Sequence, residues 1–187
     1  MGVKFLASAA AAGLLLSATV AVPRAAAQDG GLTADSTFIQ TAGSLGLLQV
    51  KLGQLAEEKG GSPSVRDYGK RMVADYAKVN EDLAAGARQS AYPEPVMLRQ
   101  HKQIVDRFIK TGRSSFDKKY MAEMVKQQDE AVELFRREAE SGRVKALKAL
   151  AAKTLPDVEQ HRTLARQTAG SVGADVTAAN ARPRQGS

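Results

Sequence analysis

Four stretches of the chain repeat apolar residues at intervals of three and four, the spacing that puts side chains on one face of a helix. The longest is residues 115–140. There Tyr120, Met124, Gln128, Ala131 and Phe135 share a face, and Lys, Arg and Glu hold the opposite one. Residues 33–59 carry a stripe of Phe38, Ala42, Leu45, Gln49, Leu52 and Ala56. Residues 62–89 carry Val65, Tyr68, Met72, Tyr76, Val79, Leu83 and Ala87. Residues 143–169 carry Leu147, Leu150, Thr154, Val158, His161, Ala165 and Thr168. A shorter segment, residues 96–110, turns Ile104, Val105, Phe108 and Ile109 to one side. No β-branched run alternates with period two, so no strand is predicted.

The punctuation agrees with this pattern. Thr33 or Asp35 can cap the first helix, and Gly60-Gly61 ends it. Ser62 caps the second, with Pro63 in its first turn, where a missing N–H does no harm. Tyr92-Pro93-Glu94-Pro95 is a rigid turn, and Thr111-Gly112 stops the short helix. Ser114 with Asp117 three residues on spells a capping box for the long helix, which Ser141-Gly142 closes. Pro156 inside the last helix cannot donate to the carbonyl of Ala152, which predicts a kink or short break. Gly170 ends the last stripe. Four amphipathic helices on short turns predict an all-α, antiparallel up-down bundle, with the short helix as an added crossover.

The chain ends narrow the picture. Residues 1–27 combine Lys4, an apolar run over residues 5–22 and the small residues Ala25 to Ala27, the pattern of a cleaved secretory signal. A flexible leader over 28–34, a bundle over 35–169 and a disordered tail over 170–187 follow. The expected location is the periplasm or the exterior. No second run is apolar enough to span a membrane once the signal is removed. Cysteine is absent, so neither a disulfide nor thiol chemistry is available. The formal charge is +7, and loss of Lys4 and Arg24 with the signal leaves +5. That mild excess is interspersed with acids and there is no Trp, which argues against a nucleic-acid partner.

Gln49, Tyr76, Gln128 and His161 each lie on a core stripe, one from each long helix. If they stand at one height they form a polar layer inside the bundle. The runs at residues 50–56 (VKLGQLA), 71–76 (RMVADY), 116–120 (FDKKY) and 155–161 (LPDVEQH) resemble a secreted bacterial ferritin-like family catalogued as domain of unknown function 4142. The resemblance spans residues 35–169. It implies a ferritin-like bundle with a Glu on the first helix and a His on each of three others. Those positions hold Gln49, Tyr76, Gln128 and His161, so only the last agrees. A di-iron centre also needs paired Glu-x-x-His motifs. Here the residues three before His161 and His101 are Val158 and Leu98.

These readings predict an exported, non-catalytic helical-bundle protein of the cell envelope, a stress-related binding module with a degenerate metal site and no cofactor. Its partner would be an unidentified envelope component or an anionic surface met by Arg136, Arg137, Arg143, Lys145, Lys148 and Lys153. Those residues also suit an ordinary solvated helix face. The alternative is a metal-binding or redox protein with a residual site around His161 and Asp157. His101, beside Lys102 on the short helix, is expected to be solvated. No Gly-rich phosphate loop is present, and the two histidines suggest no Ser, His and Asp triad.

Overall fold

A computed structural model describes residues 34–177. These lie within one of the chain's two compact units, Leu32–Ser187; the other, Met1–Gly31, is outside the described residues. So are the expected signal segment, all but the last residue of the leader, and residues 178–187. The described residues form α1 (Ala34–Lys59), α2 (Pro63–Gln89), α3 (Arg99–Ile109), α4 (Arg113–Ser141) and α5 (Lys145–Ser171), with no strand among them.

The stripes turn inward as their spacing requires. Phe38, Leu45, Leu52, Met72, Leu83, Met124, Phe135, Leu147 and Val158 are all buried. Val79 and Leu150 sit at the edge of this core. Ile109 departs from expectation: it is 54% exposed, and Phe108 alone of its group is fully inside. Three aromatic rings close one end of the core, with Phe116 stacked on Tyr120 at 5.4 Å and Phe108 edge-on to both.

Contacts at the helix ends give the directions. α1 and α2 pair antiparallel, with Gly46 against Asn80 and Gly53 against Gly69. A Cβ at Gly53 would come within 2.7 Å of the Gly69 carbonyl, and one at Gly69 within 2.7 Å of the Gly53 carbonyl. Only glycine permits so close a backbone approach. α5 runs antiparallel to α2, with Lys153 at Asp82, His161 at Asp75 and Ser171 at Ser64. α3 begins beside Ser44 and ends beside Lys59, so it lies along α1 in the same direction. It returns the chain to the start of α2, where Asp117 of α4 meets Gly61 and Ser62. α4 therefore runs with α2, whereas strict alternation would have set it against α2. Each neighbouring pair among α1, α2, α4 and α5 remains antiparallel.

The caps differ from the local reading. α4 starts at Arg113 with Gly112 as N-cap and makes no side-chain cap bond, which puts Asp117 at the fifth helical position. The Ser114–Asp117 capping box does not form. Asp117 instead accepts the N–H groups of Gly61 at 2.9 Å and Ser62 at 2.7 Å, ahead of α2. Ser62 makes no cap bond of its own, its hydroxyl pairing with Ser64. The Asp35 carboxylate serves the start of α5 rather than α1, accepting from Arg143 at 2.7 Å and Val144 at 3.0 Å. Lys59 of α1 closes the end of α3 by donating to the carbonyls of Phe108, Ile109 and Thr111. α5 is one helix through Pro156 and continues past Gly170, so no break occurs. Val172, Ala174 and Val176 then pack against the core, where disorder was expected from Gly170 onward.

Candidate functional site

The polar layer is assembled from α2, α4 and α5, with α1 in register. The Tyr76 hydroxyl donates to Gln128 Oε1 at 3.0 Å. Gln128 Nε2 in turn faces the Tyr68 hydroxyl at 3.3 Å and Met72 Sδ at 3.4 Å. All four side chains are buried. Burial pushes both phenols up, well beyond neutral pH, against the smaller lowering effect of the Gln128 hydrogen bonds. At neutral pH these tyrosines are protonated donors.

His161 joins through its ring, whose centroid is 5.3 Å from that of Tyr76. Its Nε2 lies 2.8 Å from Asp75 Oδ2. Arg71 Nε holds the same oxygen at 3.2 Å. Burial lowers the imidazole's affinity for a proton, opposed by the hydrogen bond and charge of Asp75. A neutral ring facing a carboxylate carries its proton on Nε2, which leaves a bare lone pair on Nδ1. That Nδ1 is buried without a partner. Gln49 is also fully buried, and neither its Nε2 nor its Oε1 has a partner. The contacts of Gly46 with Asn80 and Gly53 with Val73 put Gln49 at the height of Tyr76. Thus Tyr76 and Gln128 bond directly, His161 packs on Tyr76, and Gln49 shares their level without a bond.

Asp157 stays outside this layer. It lies with Asp75, His161, Arg71, Lys78 and Lys153 around a groove of about 220 Å³ between α2 and α5. Among the described residues no three His, Cys, Asp or Glu side chains converge closely enough to hold a metal ion. His101 is a correction: it is 2% exposed, and its Nδ1 sits 2.6 Å from the Ser44 hydroxyl. Ser44 Oγ also accepts the Leu98 N–H at 2.7 Å. The pair pins the start of α3 to α1.

The basic set is largely engaged. Arg136 pairs with Glu159 at 2.8 Å, Arg137 with Glu133 at 3.6 Å and Lys153 with Asp82 at 3.7 Å. Lys148 donates to the Glu140 carbonyl at 2.8 Å. The sequence reading missed Tyr68 as a member of the layer and Asp75 as the partner of His161. Asp75 carried one local signal, its position four residues after Arg71 on an exposed helix face.

No helix among the described residues is long and apolar enough to cross a membrane. No curated protein and no solved structure matches the chain. A family model described as Domain of unknown function (DUF4142) matches residues 20–168. The chain, an all-α protein whose core carries a hydrogen-bonded polar layer, belongs to that family.

Proposed function

We propose that this chain is an exported, non-catalytic protein of the bacterial cell envelope: a ferritin-like four-helix bundle that acts as a stress-related binding module. Two antiparallel hairpins joined by a single crossover segment support the ferritin-like reading. The observation that carries the functional one is Gln128. Its carbonyl takes the Tyr76 hydroxyl, and its amide faces Tyr68 and Met72 inside a sealed core. At two of the four positions where the family resemblance implies metal ligands, Tyr76 and Gln128, this protein has neutral groups that occupy one another. Such a layer fixes helix register and leaves recognition to the surface.

Elemental analysis of the native protein, with N-terminal sequencing of the same sample, tests both halves. The expected result is a metal-free chain starting near Gln28. A start at Met1 contradicts export. A near-stoichiometric metal would favour the second reading, a residual site around His161. That reading draws on the His161–Asp75 contact and on Asp157 beside the same groove. The combined replacement Gln49→Glu, Tyr76→His and Gln128→His should create zinc binding if the layer descends from a metal site. A folded triple variant that binds none removes that ancestry.

A further inference from the structure

Where α1 begins, two carboxyl groups are buried side by side. Asp35 is 2% exposed and Glu138, in the last turn of α4, is 4% exposed. Asp35 Oδ1 accepts the N–H groups of Arg143 and Val144, which lead into the first turn of α5. The Glu138 carboxyl is hydrogen-bonded to the Asp35 side chain, while its Oε1 is buried without a partner. Two ionised carboxylates offer each other only lone pairs, so this contact requires a proton.

The surroundings decide which group carries it. Burial by itself would raise the Asp35 carboxyl, but the hydrogen bonds from the Val144 and Arg143 N–H groups, with that from Glu138, together hold it below its usual range. For Glu138, burial and then the negative charge of Asp35 act together and push it up to about 7. Lys148 of α5 is the cation that faces it, and pulls back only in part. Gly142 makes room for the group. A Cβ at Gly142 would lie 2.6 Å from both the backbone oxygen and Oε1 of Glu138. Only glycine therefore fits beside the carboxyl at this turn.

We propose that Asp35 and Glu138 form a proton-operated latch, which ties the first turn of α1 to the α4–α5 turn while one proton is shared and opens when both groups ionise. The direction follows from linkage. Glu138 holds its proton more tightly in the folded chain than in the unfolded one, where its ordinary value is 4.5. Its contribution to stability is complete below that value and is lost as pH rises through about 7. The buried histidines His101 and His161 act oppositely, since burial lowers both and they favour the folded state above their ordinary value of 6.5. A comparison that leaves both histidines in place cancels them.

Carboxyl ¹³C resonances of the full chain give the direct test. Glu138 should titrate near pH 7, and a midpoint near its ordinary value overturns the latch. In Asp35→Asn the midpoint should fall, and an unchanged midpoint overturns it equally. Glu138→Gln supplies an N–H donor to Asp35 at every pH. From pH 5 to pH 8 the unfolding constant of the wild-type chain should rise at least about tenfold relative to that of E138Q. Exchange of the Arg143 and Val144 amides, corrected for its intrinsic pH dependence, should accelerate over the same range in the wild type alone. Parallel behaviour of the two proteins overturns the proposal. Should E138Q fail to fold, the wild-type titration decides.

Discussion

Loss of the Tyr76 hydroxyl strands Gln128 Oε1 in a core that water does not reach. Tyr76→Phe should cost about 1–3 kcal/mol in urea denaturation, the usual penalty for an orphaned buried acceptor. Gln49 should behave in the opposite way. Its amide is fully buried and bonds to nothing, so Gln49→Met replaces a desolvated polar group by an apolar one of similar shape. That change should stabilise by about 1–2 kcal/mol. A loss instead would mean that the Gln49 amide is satisfied in solution. The spacing of the stripes told which residues turn inward, because helical period is local. It could not tell whom they meet. Tyr76 and Gln128 are 52 residues apart, and Asp75 and His161 are 86 apart. His101 was misread for the same reason: its polar neighbours in sequence predict water, and its partner is Ser44 on another helix.

Among the elements, helix extents were legible and their closures were not. Glycine, proline and the end of each stripe bounded α1, α2 and α4 to within a residue or two. The Ser114–Asp117 box had the right spelling, but α4 starts too early for Asp117 to reach its own end. Asp117→Ala removes the shared acceptor of the Gly61 and Ser62 amides and should cost about 1–2 kcal/mol, the range of a lost N-cap. The test separates the two assignments. Amide exchange should quicken at the start of α2, not at the start of α4. Lys59→Met should likewise quicken exchange in the last turn of α3, since three carbonyls there rely on that ammonium.

At the scale of the whole molecule, Phe135 joins the end of α4 to the start of α1, edge-on to Phe38 at 5.3 Å. Phe135→Ala should cost about 3–5 kcal/mol. A change within about half a kcal/mol would place that ring outside the core. The all-α class and the order of the helices followed from the stripes, but the direction of α4 did not. It depends on α3 lying along α1, a contact made by Ser44 and Lys59 that no local pattern encodes. The same borrowing governs how the chain comes apart. Asp35, Lys59 and Asp117 each close the end of a helix other than their own. A helix whose neighbour has left loses its cap together with its packing, so an expanded state that keeps its helices has little to hold them. Heat should therefore abolish far-ultraviolet ellipticity and the near-ultraviolet tyrosine signal at one temperature, with the calorimetric and van't Hoff enthalpies equal. Residual ellipticity beyond the loss of the tyrosine signal would show helices that stand without their lenders.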